Sequence, residues 1–288
     1  MTNETVFLNG EFVKRKHAKV DIEDRGYQFG DGIYEVIRVY GGDVFTMNEH
    51  MERLYQSAEK MKLKIPFDLQ ELTSIVFKLI EANEVNEGIV YMQVSRGISP
   101  RQHHFPGEDV SGSVIAYTKE IPRPLKEMQE GVTATLVEDI RWLRCDIKSL
   151  NLLGNILAKE EASSKGHFEA IQHRGETVTE GSSSNAFIVK DGTVFTHPAT
   201  NLILNGITRR VIKDMADKNG VPFVEQIFTV DELLSADEIF IASTTSEVMP
   251  VIKVNDVTIG QGMPGPVTTK LQEWFTASIK SECKIQQG

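Results

Sequence analysis

The chain is poor in the features that mark several protein classes. Among its 288 residues only Cys145 and Cys283 are cysteines, which fit no disulfide framework or thiolate metal site, so we expect two reduced thiols. No window approaches the ~20 apolar residues of a membrane span, and no signal-peptide segment opens the chain. Lysine and arginine total 31 against 41 aspartates and glutamates, a balance that disfavours nucleic acid and anionic membranes as partners. These absences favour a cytoplasmic globular protein.

The order of the predicted elements is mixed and indicates an α+β fold. An Asn9-Gly10 turn predicts a hairpin of residues 6–8 and 11–13. Apolar stripes predict helices that begin after Asn48 and after Asp68, where Glu71 completes a capping box. Further strands are expected over residues 33–40, 44–46, 89–94, 113–118, 132–137, 169–172, 186–189, 193–196 and 238–242, and further helices over residues 152–165, 207–219 and 267–280.

A proline-rich segment predicts a division into two domains. Pro122 and Pro124 cannot continue a sheet interior and favour an extended connector. We therefore expect a smaller N-terminal α/β domain over residues 1–120, a linker over residues 121–125, and a larger C-terminal domain over residues 126–288 that carries Lys148.

Lys148 and Glu180 are the most informative pair of residues. Lys148 lies in a segment with few other cations nearby, and Glu180 lies in a run of Gly, Ser and Asn. An amine that can form a Schiff base and a carboxylate that can pair with a pyridinium nitrogen are what pyridoxal phosphate chemistry requires of a protein. Neither residue is diagnostic alone, because most lysines are solvated surface charges.

Several segments could bind a cofactor phosphate, which needs N–H donors at a helix start, hydroxyls and usually an arginine. Ile207 and Thr208 open a predicted helix behind Gly206, and Ser243 and Thr244 follow a predicted strand. The side chain of Arg53 lies off the apolar stripe of its helix and could reach into a cleft. Each has an alternative reading: a helix cap for Thr208, a solvated side chain for Arg53, and a simple loop for the hydroxyl run.

A cationic loop over residues 95–106 could receive a substrate carboxylate. Its Arg101 can hold a carboxylate bidentately with His103 beside it, although a mobile surface loop is an equal alternative. His103 and His104 could also suggest a metal, but adjacent histidines point apart and no third ligand is evident, so we expect no metal. Tyr34, on the predicted strand over residues 33–40, could point its phenol into a pocket or pack in the core.

These segments together resemble the fold-type IV pyridoxal phosphate enzymes, from about Val6 to Trp274. The resemblance rests on residues 24–36, Arg96-Gly97 with Arg101 and His103, residues 148–151, residues 179–185, residues 206–208 and residues 243–247. All of them occur in the family's order. The resemblance implies a two-domain fold whose larger domain is β-barrel-like, and a homodimer with the site at the subunit interface.

The resemblance also implies a role for each candidate residue. Lys148 would bind pyridoxal phosphate and move the substrate proton, and Glu180 would pair with the ring nitrogen. The other expected contacts with the cofactor are those of Arg53, Leu204, Ile207, Thr208, Ser243 and Thr244. The substrate carboxylate would be bound by Tyr34, Arg101 and His103, the last two from the other subunit.

The activity that the resemblance implies is a reversible transfer of the amino group of a D-amino acid, such as D-alanine, to a 2-oxo acid. The expectation of D-specificity rests on Arg101 and His103, because the side of the pocket that binds the carboxylate decides which enantiomer is accepted. Three alternatives stay open: a branched-chain L-amino-acid transaminase, a lyase resembling aminodeoxychorismate lyase, and a non-catalytic binding protein with this fold.

Overall fold

The computed structural model describes residues 3–283 and divides the chain into two compact units. The first unit comprises Met1–Pro122, Ile147–Asn151 and Ile279–Gly288, and the second comprises Arg123–Asp146 and Leu152–Ser278. This division differs from the predicted domains in two segments. Ile147–Asn151, which contains Lys148, and Ile279–Gly288 belong to the first unit, whereas the sequence predicted both in the C-terminal domain.

The first unit is built on a six-stranded antiparallel sheet. Along the chain its strands are β1 (Thr5–Leu8), β2 (Glu11–Lys14), β3 (Gly32–Tyr40), β4 (Asp43–Val44), β5 (Glu87–Ser95) and β6 (Ser113–Glu120). Their order in the sheet is β2-β1-β6-β5-β3-β4. The predicted hairpin is confirmed: Asn9 and Gly10 both adopt positive φ, which a tight turn of this kind requires.

Helices α2 (Met47–Lys60) and α3 (Leu69–Ala82) cover one face of this sheet. The unit also has a short helix α1 (Arg25–Phe29) and a 3-10 turn at Arg15–His17. Alternation along β3 directs Ile33, Glu35 and Ile37 into the core beneath α2 and α3, while Tyr34 and Val36 lie on the opposite face. Full burial of each apolar side chain here stabilises the fold by ~1.5–3 kcal/mol.

The start of α3 agrees with its prediction and the start of α2 does not. Asp68 and Glu71 form a reciprocal capping box. The predicted cap of α2, Asn48, lies inside the helix, and the cap position is Thr46, which adopts a left-handed conformation. The backbone N–H of Thr46 donates to the Glu282 carboxylate at 2.7 Å. The N–H of the cap residue is therefore satisfied by a partner 236 residues away.

The second unit is built on a nine-stranded mixed sheet. Its strands are β7 (Val132–Glu138), β8 (Glu169–Arg174), β9 (Thr177–Gly181), β10 (Asn185–Lys190), β11 (Thr193–Thr196), β12 (Phe223–Glu225), β13 (Glu238–Ser243), β14 (Glu247–Val254) and β15 (Val257–Thr258). The order is β12-β11-β10-β13-β14-β7-β8-β9, with β15 paired to β14. Strand β9 ends this order yet packs against β10, so the sheet curls, which agrees with the predicted barrel-like domain.

The helices beyond residue 122 are α4 (Leu125–Glu130), α5 (Leu153–Ser164), α6 (Ile207–Lys218), α7 (Val230–Leu234) and α8 (Pro266–Glu282). Helix α5 packs against β7 and β8, and α6 packs against β12 and β13. No helix between residues 3 and 283 combines the length and the apolar character needed to cross a bilayer.

Candidate active site

Lys148 lies beside strand β3 with its amine unpaired by any acid of the described residues. The backbone N–H of Tyr34 donates to the Lys148 carbonyl at 3.0 Å, and the Lys148 N–H donates to Ser57 Oγ at 3.3 Å. These bonds fix the backbone on both sides of the residue. The half-buried side chain places Nζ 4.2 Å from the centroid of the Tyr34 ring. Lys148 is therefore not the solvated surface charge that most lysines are.

Arg53 is buried and paired, which excludes the solvated alternative. Its Nε donates to Glu35 Oε1 at 2.7 Å, and its Nη2 donates to Oε2 at 2.8 Å. His50 Nδ1 lies 2.8 Å from the same Oε2. Burial raises the pKa of Glu35, but the Arg53 charge and hydrogen bonds with Arg53 and His50 outweigh it and hold this pKa at about 2. Burial also lowers the pKa of His50.

The cationic loop is fastened at its base and exposed at its tip. The Arg96 guanidinium binds both carboxylate oxygens of Asp31 and the carbonyls of Lys62 and Met61. Arg25 Nη1 donates to the Gln102 carbonyl at 2.7 Å. This anchoring argues against the mobile-loop alternative.

At the tip of that loop, Arg101 and His103 meet on one aromatic ring. The Arg101 guanidinium carbon lies 4.5 Å from the centroid of the Phe29 ring, and the His103 ring packs edge-on against it at 5.7 Å. Both side chains are exposed, and Arg101 makes no hydrogen bond or ion pair among residues 3–283. Tyr34, the third predicted carboxylate ligand, contacts Lys148 and stacks on Tyr91.

In the second unit, Glu180 is a buried carboxylate at the end of β9. Arg141 Nη1 donates to its Oε1 at 2.6 Å, and Asn185 Nδ2 donates to its Oε2 at 2.9 Å. The backbone N–H of Leu204 lies 3.2 and 3.1 Å from the two oxygens. Burial raises the pKa of Glu180 to about 7, although Arg141 acts in the opposite direction.

Asn185 connects Glu180 to the start of helix α6. Its amide also donates to the Leu204 carbonyl at 2.8 Å, and a Cβ at Gly206 would lie 2.2 Å from its Oδ1. Any larger residue there would have to displace the Asn185 amide. Within this unit the structure therefore gathers Glu180, Leu204, Ile207 and Thr208.

The first turn of α6 is suited to an anion. Gly206, at the N-cap, offers no side chain to the N–H groups of that turn, and the turn carries no acid. Thr208 is buried there. Ser243 is the last residue of β13, the strand against which α6 packs, and Thr244 follows it. Ser243 Oγ lies 2.5 Å from Ser246 Oγ.

The sequence did not single out Arg141, Glu35 or His50. One signal was available: an acid on the core-facing side of a strand, such as Glu35, requires a buried cation. Arg141 had no comparable signal, because Glu180 lies 39 residues further along the chain. Among the described residues, no group of three His, Cys, Asp or Glu side chains could hold a metal ion.

The first unit thus carries an amine without an acid partner among the described residues, and the second carries a buried carboxylate and a helix start suited to an anion. Pyridoxal phosphate chemistry requires groups of these kinds. The family model described as amino-transferase class IV matches residues 32–254. A D-alanine aminotransferase of Staphylococcus aureus (strain MSSA476) is 53% identical over 96% of this chain and 99% of its own length. Another, of Listeria monocytogenes, is 52% identical over 96% and 97%. The chain belongs to the class IV aminotransferases.

Solved structures give the same class. The branched-chain amino acid aminotransferase of Escherichia coli superposes with a TM-score of 0.92 at 28% identity, covering 99% of this chain and 98% of its own. A second branched-chain amino acid aminotransferase, solved in complex with N-(5'-phosphopyridoxyl)-L-glutamate, superposes with a TM-score of 0.91 at 26% identity, covering 98% and 96%. The chain is thus an aminotransferase that uses pyridoxal phosphate, and its donor set fits that cofactor.

Proposed function

We propose that this enzyme is a D-amino-acid transaminase that moves the amino group of D-alanine reversibly to 2-oxoglutarate, giving pyruvate and D-glutamate. One observation carries the proposal. D-alanine aminotransferases are 51% to 54% identical to this chain over 96% of its length. The branched-chain aminotransferases that share its fold are 23% to 30% identical.

In the proposed reaction Lys148 and Glu180 carry the chemistry. When bound, pyridoxal phosphate supplies an aldehyde that condenses with amines and a ring that delocalises the electron pair left at the substrate α-carbon. Lys148 would hold the cofactor covalently and would carry the proton that leaves the substrate α-carbon. The carboxylate of Glu180 would keep the ring nitrogen protonated. The half-buried amine of Lys148, which no described acid pairs, supports its role in holding the cofactor. The burial of Glu180 supports its role at the ring nitrogen.

The remaining contacts divide between cofactor and substrate. We assign the phosphate to Arg53, the first-turn N–H of Ile207, the hydroxyl of Thr208, and Ser243 with Thr244, because the N-terminus of α6 attracts anions. Leu204, whose backbone N–H donates to Glu180, would contact the ring.

Arg101, His103 and Tyr34 bind the substrate α-carboxylate. The free guanidinium of Arg101 supports this role, because no acid of the described residues neutralises it. Arg101 and His103 share Phe29 as a support, which keeps the two side chains together.

We further propose a homodimer in which Arg101 and His103 act in the site of the other subunit. An exposed apolar cluster on the second unit supports association with a second copy. The two segments that carry the cluster adjoin, since a Cβ at Gly154 would lie 3.4 Å from the Arg141 Cα atom. The exposed fractions are 44% to 70% for the six side chains of the cluster, Ile140, Trp142, Leu143, Leu153, Ile156 and Leu157. Light scattering should give twice the chain mass, and Leu153→Glu should lower it.

We infer a cytoplasmic location. Its support is that Cys145 and Cys283 are both free and buried. Reduced thiols are usual in the cytoplasm. Fractionation of the cells that make this protein tests the location directly.

The function is tested by parallel assays with D-alanine, L-alanine, D-glutamate and L-leucine, each with a suitable 2-oxo acid, followed by chiral chromatography of the amino acid formed. We expect D-alanine and 2-oxoglutarate to give D-glutamate, with L-alanine far slower. Lys148→Ala is the control for non-enzymatic transfer.

Two outcomes of these assays would overturn the proposal. Preference for L-leucine would make the enzyme a branched-chain transaminase, the alternative that its structural relatives favour. Failure on every amino acid pair, with pyruvate formed from aminodeoxychorismate alone, would make it a lyase.

A further inference from the structure

Arg141 is held in one orientation by an acid that no proposed role requires. Its Nε and Nη2 donate to the two oxygens of Asp139, both at 2.9 Å, and Nη2 also reaches the Leu202 carbonyl at 3.3 Å. Because the guanidinium is planar, the hydrogen bonds of Nε and Nη2 also fix the direction of the third nitrogen, Nη1. Nη1 is the atom that donates to Glu180 at 2.6 Å.

A second arginine completes a neutral row of four charges. Arg174 Nε donates to Asp139 Oδ2 at 3.1 Å, and its Nη2 binds the carbonyls of Arg141 and Trp142 at 3.0 Å. The row runs Arg174, Asp139, Arg141, Glu180, with two charges of each sign. Asp139 also accepts from Thr179 Oγ1 at 3.0 Å, next to Glu180 on β9.

The groups around Glu180 shift its pKa in opposite directions. Burial is the largest influence and raises the pKa of Glu180, Asp139 adds to that rise, and Arg141 opposes both. The neighbouring Cys145 contributes no charge near neutral pH, because burial raises the pKa of its thiol to about 11. Burial lowers the pKa of Arg141, yet Asp139 and Glu180 more than offset it, so this residue stays charged throughout.

We propose that Arg141 is a positioning residue that keeps the Glu180 carboxylate ionised and fixed in orientation, and thereby sets the lower pH limit of amino transfer. The inference deepens the role proposed for Glu180 and rests on it. A carboxylate that accepts a hydrogen bond from the cofactor ring must be ionised at the working pH. Arg141 cannot give up its proton, so it holds the negative charge on Glu180 without competing as an acid.

The test compares Arg141→Met, which removes the charge, with Arg141→Lys, which keeps a charge but cannot grip both oxygens of Asp139. The holoenzyme is titrated from about pH 5 to about pH 9, a range that spans the acid limb of a group that titrates near neutrality. The visible absorbance of the bound cofactor is followed first, and then kcat/KM. The control is Arg123→Met, which breaks a bidentate pair with Glu247 in the same unit at 2.8 and 2.6 Å.

We expect the midpoint of the acid limb to rise by at least ~1 pH unit in Arg141→Met and by less in Arg141→Lys, which corresponds to about a tenfold loss at the acid end. Arg123→Met should leave the midpoint in place. Arg141→Lys decides the matter if the methionine variant fails to fold. A wild-type profile in Arg141→Lys, or an equal loss of rate at every pH in Arg141→Met, would overturn the proposal. The absorbance titration needs no amino acid, so it holds even if D-alanine is not the substrate.

Discussion

Replacing Glu35 with glutamine should destabilise the first unit by about 3–5 kcal/mol, the range measured when one partner of a buried ion pair is removed. The side chain of Glu35 is fully buried, and its two oxygens meet three nitrogens of Arg53 and His50. Glutamine keeps the shape but removes the charge, and its NH₂ group turns one acceptor into a donor that faces other donors. Arg53 then loses the counter-charge of Glu35.

The pKa of Glu35 gives a second estimate of the stability that Glu35→Gln should lose. Burial raises it, yet Arg53 and His50 hold it at about 2 against an ordinary value of 4.5. A difference of about 2.5 pKa units is worth about 3 kcal/mol, since each unit is ~1.4 kcal/mol. Because the folded pKa is depressed, this stability is complete above pH 4.5 and is lost as the pH falls toward 2.

The assay is urea unfolding of the cofactor-free protein at about pH 7 and at about pH 3, on either side of the ordinary carboxyl pKa. The deficit of Glu35→Gln should be complete at the higher pH and smaller at the lower one, where the wild type has lost part of its advantage. Glu4→Gln is the control, because the Glu4–Arg15 pair is solvent-exposed on both sides and exposed pairs contribute ~0–1 kcal/mol. A deficit of Glu35→Gln at neutral pH no larger than that of Glu4→Gln would refute the reasoning.

Two further predictions concern the substrate loop and helix α3. Arg101→Ala should raise the KM for D-alanine about tenfold or more while the cofactor stays bound, because a charge-assisted hydrogen bond is worth ~1.5–3 kcal/mol. His104→Ala, in the same loop, is the control. Release of the cofactor by Arg101→Ala would contradict the assignment. Asp68→Ala should lower the free energy of unfolding in urea by about 1 kcal/mol, because it removes the capping box of α3. Replacing the exposed Asp256 with alanine should leave it almost unchanged. Equal unfolding midpoints for these two variants would show that the cap is not stabilising.

Local signals predicted elements wherever neighbours along the chain decide the conformation. The Asn9-Gly10 hairpin and the Asp68–Glu71 capping box depend on residues close together in the sequence, and both are present. Strand β14 was missed because Pro250 interrupts its pattern, although Pro250 pairs with Phe240 in the sheet. The start of α2 was also misplaced: its cap is Thr46, whose N–H binds the distant Glu282.

In the candidate site, too, contacts between residues distant in the sequence could not be predicted. Residue types and their resemblance to a family pointed to Lys148 and Glu180, because the chemistry demands an amine and an acid. The partners that adjust them could not be predicted. Arg53, which the resemblance placed on the cofactor phosphate, also pairs with Glu35, and Glu180 lies on a strand beside an arginine from a segment 39 residues earlier. Such pairs are created by the tertiary fold.

The proposed function depends on a covalent bond between the amine of Lys148 and the cofactor. The holoenzyme is treated with sodium borohydride, which reduces a carbon–nitrogen double bond to a stable single bond, and its peptides are mapped by mass spectrometry. We expect the phosphopyridoxyl group on the peptide that contains Lys148, and no such adduct in Lys148→Ala. The same group on another lysine, or no modified peptide in a protein that still transfers amino groups, would contradict it.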